Sequence, residues 1–226
     1  MIKLHLMAVA VAIGTLASGA GALAESQTAF APPIPGTIVQ NQIAYLTGAN
    51  LDGQWRAVAS KKLVGTGSGQ SFYQWYLSIY ALRRGAYRLR YQSPRNGGPL
   101  ETVTQADGAK MWFPVAQLRV VGAAKLTGSA VQQLVVQSHE MAADCGGSTV
   151  TVFGSGPGDS VVRAVTVTNP CELRATIGAD GTSIELAGPY YNASAPMCCP
   201  TKNSASAVLR YRGGKWVETP NYFKIN

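Results

Sequence analysis

The chain has 226 residues, 46% of them apolar and 13% charged, with 19 Lys and Arg against 11 Asp and Glu. A charged share well below the usual ~25% excludes a disordered chain or a coiled coil. No apolar run reaches the ~18 residues of a spanning helix, which excludes a multi-span membrane protein and leaves one ordinary domain or two small ones.

Lys3 and His5 precede an apolar run over residues 6–16, and small residues lead to Ala22-Leu23-Ala24. A charged start, a short apolar middle and an Ala-x-Ala end predict a secretory signal over residues 1–24, cut after Ala24. Eleven apolar residues are too few to cross a hydrocarbon layer of ~30 Å. The expected location is secreted or periplasmic, with no transmembrane span in the mature chain. Losing Lys3 leaves 18 bases against 11 acids, a net charge of +7, and His139 as the one histidine. Residues 25–36, with Pro32, Pro33 and Pro35, read as a mobile leader, and residues 37–226 as one β-rich domain.

From Thr37 onward Gly, Asn, Asp and Pro recur at short intervals between segments rich in Val, Tyr, Thr and Ile, the pattern of many short strands. The expected fold is all-β, with antiparallel strands in a sandwich or partial-propeller arrangement. Residues 73–82 and 86–92 are predicted as a hairpin around Arg83-Arg84-Gly85. In its second strand Tyr87, Leu89 and Tyr91 alternate with Arg88 and Arg90, which places the two sets on opposite faces.

Residues 54–100 hold Arg56, Lys61, Lys62, Arg83, Arg84, Arg88, Arg90 and Arg95 and no acid, together with Trp55, Phe72, Tyr73, Trp75, Tyr76, Tyr80, Tyr87 and Tyr91. Arginines beside aromatic rings make a positive stacking surface. The candidate ligand-binding set is therefore Trp75, Tyr76, Tyr80, Arg83, Arg84, Arg88 and Arg90. Its expected partner is an anionic glycan or an envelope surface, with nucleic acid disfavoured for an exported chain. The same alternation also serves an exposed sheet face whose arginine stems cover the rings. Gly65-Thr66-Gly67-Ser68-Gly69 lacks the Gly-Lys-Ser/Thr and the helix of a phosphate loop and reads as a turn.

Residues 129–146 fit a helix capped by Ser129 and stopped at Gly146, or a strand over 133–138 followed by a loop; the strand is preferred. His139 sits in Ser138-His139-Glu140, no second histidine completes a zinc site, and no Gly-x-Ser-x-Gly occurs. It reads as a surface histidine beside Glu140. No catalytic residue, metal ligand or cofactor is assigned. Glu101, Asp107, Asp144, Glu172 and Glu185 leave open a carboxylate pair and, with it, an alternative reading as an envelope glycan hydrolase.

Further strands are predicted over 149–153 and 161–168. A hairpin over 173–186 turns at Ala179-Asp180-Gly181, and another over 208–216 turns at Gly213-Gly214. Cys145, Cys171, Cys198 and Cys199 are an even count in an exported chain and predict two disulfides. No Cys-x-x-Cys spacing supports zinc. Adjacent Cα atoms lie ~3.8 Å apart, below the ~4.4 to 6.8 Å of a relaxed disulfide. Cys145 and Cys171 are therefore each expected to bond one of Cys198 and Cys199. A bond between Cys198 and Cys199 is the strained alternative, and it would make the protein redox-responsive.

Three stretches look alike: 74–80 with 87–91, 132–137 with 150–153, and 183–188 with 208–211. Their closing aromatics are Tyr91, Phe153 and Tyr211. Each unit is expected to be two strands joined by a variable loop, repeated about three times. Leu126-Thr127-Gly128-Ser129-Ala130-Val131-Gln132-Gln133-Leu134-Val135-Val136 resembles the repeat of FG-GAP-type β-propellers, in which an Asp and Gly turn holds calcium. Thr127, Ser129 and Val131 stand at the acidic positions, so the calcium role does not carry over. Tyr191-Asn192-Ala193-Ser194-Ala195-Pro196-Met197-Cys198-Cys199-Pro200-Thr201, followed by residues 209–216, resembles the Cys-Cys-Pro-Ser/Thr module of exported bacterial proteins and lipoproteins of unknown function. An Asp-Pro commonly precedes those cysteines, where this chain has Ala195-Pro196. The resemblance implies an exported β-rich unit. Composition, export and the basic stretch together point to a non-enzymatic binding or structural protein of the cell envelope.

Overall fold

The computed structural model describes residues 36–45, 53–67, 70–93, 102–104, 110–112, 117–139, 147–192 and 200–226. These lie in one unit, Pro32–Asn226. Residues 1–24 and nearly all of the expected leader fall outside them.

Strand-forming segments follow one another with short turns, so successive strands pair with their neighbours and build three antiparallel meanders. The first sheet is β1 (Thr37–Tyr45), β2 (Gln54–Gly67), β3 (Gln70–Arg83) and β4 (Ala86–Ser93), in that spatial order. A small pair follows, β5 (Thr102–Thr104) with β6 (Lys110–Trp112). The middle sheet holds β7 (Gln117–Ala124), β8 (Gln133–His139), β9 (Ser148–Ser155) and β10 (Val161–Asn169). The third is β11 (Arg174–Ile177), β12 (Ser183–Tyr190), β13 (Lys202–Arg212) and β14 (Lys215–Thr219). The last strand, β15 (Lys224–Ile225), returns to pair with β10. The fold is all-β and its sheets are not closed into a barrel. Among the described residues no helix is long and apolar enough to cross a membrane.

Two cores share the middle sheet. On one side Val120, Leu134, Val136 and Phe153 meet Trp55, Ala57, Ala59, Leu77, Ile79 and Ala81 of the first sheet. On the other Val135, Val150, Val152, Val165 and Val167 meet Leu173, Ala175, Ile184, Leu186, Ala207 and Leu209 of the third. The result is a three-layered sandwich whose central sheet is buried on both faces. That explains the ambiguity at 129–146. β8 carries Leu134, Val135 and Val136 in a row, all buried, because a strand covered on both sides needs no polar alternation.

Both joints between layers also use a glutamine as a surrogate peptide. Gln40 on β1 accepts from Val120 N at 2.7 Å and donates to Val120 O at 2.8 Å, satisfying the edge of β7. Gln137 on β8 accepts from Ala175 N at 3.2 Å and donates to Leu173 O, doing the same for β11. A third, Gln133, closes the 127–131 turn by accepting from Thr127 N and donating to Val131 O. At the β7 bulge the third sheet comes close: a Cβ on Gly122 would lie 2.8 Å from Ile177 Cδ1.

The predicted two-strand units are β3–β4, β8–β9 and β12–β13. The first occupies the third and fourth positions of its sheet, and the others the second and third.

Candidate functional site

The hairpin of β3 and β4 turns through Arg84 and Gly85, with φ of 49° and 74°. Two successive positive φ angles give the tight turn whose twist matches paired strands. The predicted alternation in β4 fails at one residue. Tyr91 pairs with Ile79 and Leu89 with Tyr80, so Arg90 is the extra residue of a β-bulge. A bulge moves everything beyond it to the opposite face. Tyr91 therefore turns toward the middle sheet, while Tyr87 and Leu89 share the outer face.

The aromatic rings at this end are committed to internal packing. Tyr91 stacks on Phe153 at 5.0 Å and accepts a hydrogen bond from Arg163 Nη2 at 2.9 Å. Tyr87 lies under the Arg56 guanidinium at 5.1 Å and donates to Gln54 Oε1. Tyr76 and Tyr80, expected on the binding surface, are buried at 3% and 5% exposure. Burial raises both phenols above the ordinary tyrosine pKa. These two tyrosines leave the candidate surface because β3 is covered on both faces along residues 76–80.

The arginines stay outside. Arg84, Arg88 and Arg90 are exposed and Arg83 is half-buried, its Nη1 donating to Leu82 O at 3.2 Å. Trp75 is half-buried eight residues from Arg83 along β3, roughly 26 Å at ~3.3 Å per residue. It faces Lys61, whose Nζ sits 4.3 Å from the Tyr73 ring and 5.8 Å from Trp75. The predicted site thus separates into an arginine end without free aromatic faces and a distant lysine, tyrosine and tryptophan cluster. Across β1 to β4 and their turn stand Arg56, Lys61, Lys62, Arg83, Arg84, Arg88 and Arg90, and no Asp or Glu.

The third sheet is built differently. Arg210 Nη2 meets Asp180 Oδ2 at 3.1 Å, and Arg174 meets Glu172 at 3.8 Å. Asp180 also accepts from Thr182 N at 2.9 Å and Ser183 Oγ at 2.7 Å. These bonds, the backbone one first, hold its carboxyl well below the ordinary range. Glu218 is buried, which raises its pKa, while accepting N–H bonds from Tyr222 and Phe223. A shallow groove on this sheet's outer face is lined by Arg174, Glu185, Ser206, Val208 and Thr219.

Cys171 is 1% exposed, with its sulfur 2.8 Å from the Tyr191 hydroxyl. Cys145, Cys198 and Cys199 lie outside the described residues, as do Glu101, Asp107 and Asp144. Glu172 and Glu185 are exposed. His139 is half-buried with Nδ1 2.8 Å from Ser148 Oγ. Among the described residues no cluster of three metal-ligating side chains occurs.

The bulge at Arg90 and the three glutamines were not foreseen. Glutamine in a strand reads as a side chain of the wet face, and nothing in residue type marks it as a backbone surrogate. Comparison with protein-family models, curated proteins and solved structures returned no match.

Proposed function

We propose that this is an exported, non-enzymatic binding protein of the cell envelope, whose first sheet takes an anionic glycan through its arginine end. The observation that carries this reading is the charge of that sheet: seven bases and no carboxylate, with Arg84, Arg88 and Arg90 exposed at one tip. Neutral sugars are bound by stacking on open aromatic faces, whereas here Tyr91 packs inward on Phe153 and Tyr87 is covered by the Arg56 guanidinium. Anionic polymers need clustered positive charge, which this end supplies.

The test is retention on immobilised heparin across a salt gradient. Wild type should be retained and elute with salt, because screening weakens exposed charge pairs. Arg88→Glu with Arg90→Glu should elute much earlier; unchanged retention defeats the reading.

The disulfide framework forms part of the same proposal. Asn192 N donates to Thr201 Oγ1 at 3.1 Å, closing the base of the segment that carries Cys198 and Cys199, and the Tyr191 contact brings Cys171 to that base. Cys171 bonds one of the pair and Cys145 the other. Mass spectrometry of unreduced peptides would read the pairing, and a bond between Cys198 and Cys199 would refute it.

A further inference from the structure

We infer that the far end of the first sheet is a second surface, one that docks on a lipid bilayer bearing anionic headgroups. β2 and β3 are each 14 residues long and pair throughout. β1 accompanies β2 only as far as Lys61, and β4 accompanies β3 only as far as Leu77. Beyond those points, among the described strands, the two continue as an arm paired only with each other.

At this end Leu63 is 51% exposed, Val39 47% and Ile38 39%. The whole set of exposed large hydrophobics among the described residues comprises these three with Leu89 and Val162, so more than half lie at one sheet end, with Leu63 on the face of Lys61 and Ile38, paired with Ser60, on the opposite one. Such clustering marks an interaction site, whereas scattered exposed aliphatics do not.

Register gives the arm its chemistry. Lys61 pairs with Trp75 and Leu63 with Tyr73, so these four share one face. Lys62, exposed, stands on the other. Lys61 Nζ lies over both rings, and the rings are half-buried.

Tyrosine and tryptophan settle at the headgroup level of a bilayer, aliphatic tips enter the acyl boundary, and lysine stems reach back to phosphates. A soluble acidic partner would use the charge but leave Leu63, Val39 and Ile38 wet. The lack of any carboxylate in the sheet selects an anionic bilayer over a zwitterionic one, since each base near an anionic surface adds attraction.

This surface is separate from the arginine end, so heparin retention can fail without loss of bilayer binding, and the reverse. The experiment is co-sedimentation of the full chain with vesicles of equal parts phosphatidylglycerol and phosphatidylcholine, against vesicles of phosphatidylcholine alone. Wild type should bind the anionic vesicles at least about tenfold better, and Lys61→Glu with Lys62→Glu, or Leu63→Asp, should each remove about tenfold of that. Arg88→Glu with Arg90→Glu should retain most of it.

A second readout, with a conservative variant as its control, avoids dependence on the folding of the charge and aspartate variants. Brominated acyl chains should quench a share of the indole fluorescence that Trp75→Phe lacks. Equal binding to both vesicle types, absence of quenching, or heparin retention with no vesicle binding would overturn the inference.

Discussion

The first and third sheets flank the same middle sheet, each with an apolar inner face and a polar staple, yet they treat charge in opposite ways. In the third, bases have acids beside them: Arg210 with Asp180, and Arg174 with Glu172. In the first, seven bases stand with no acid in the sheet. Exposed ion pairs contribute only ~0–1 kcal/mol, so a sheet whose strands carry no acid does not for that reason lose stability at its exposed bases. Both outer layers are held by apolar burial against the centre.

The largest expected effect tests that shared dependence on burial. Ile79→Ala in one core and Leu209→Ala in the other should each cost about 2–5 kcal/mol, read by urea unfolding. A cost in only one core would mean that the other layer is held by something else. Next come the staples. Gln40→Ala leaves the N–H and C=O of Val120 unpaired, and Gln137→Ala does the same at Ala175 and Leu173; each should cost about 1–3 kcal/mol. If both prove neutral, the amide surrogates are incidental to the joints.

A smaller effect separates the sheets by pH, because titrating carboxylates belong to the third and not to the first. Asp180 has a depressed pKa, so its contribution to stability is present above the ordinary carboxylate value of ~3.9 and is lost as pH falls through the depressed one. Glu218 has a raised pKa, so the sign reverses. Its contribution is complete below the ordinary glutamate value of ~4.3 and is lost as pH rises through the raised one. Asp180→Asn should flatten the acid limb of stability against pH, and Glu218→Gln should flatten the decline above it, both followed by denaturant midpoints. Identical pH profiles for wild type and both variants would show that these acids do not govern the third sheet.

Much of the fold was readable where a strand has one wet face. The hairpins turning at Asp180-Gly181 and Gly213-Gly214 follow from alternation and from glycines at positive φ. β8 resisted because burial on both faces erases that alternation. The candidate site was readable in charge but not in geometry. Seven bases without an acid are plain in the residues, whereas one bulged arginine decides which way Tyr91 points. Trp75 and Tyr76 are consecutive aromatics, and neither residue type says which will be half-buried and which buried.

The most direct test of the central claim is a pair of equal charge reversals read by the salt concentration that elutes each protein from heparin. Arg88→Glu with Arg90→Glu alters the first sheet, and Arg212→Glu with Lys215→Glu alters exposed bases of the third by the same total charge. Exposed substitutions of this kind should change stability by no more than about 0.5 kcal/mol, so both variants remain folded for the comparison. The first should elute at much lower salt while the second stays near wild type. Equal shifts in both would show that net charge alone governs retention and would contradict a binding surface on the first sheet.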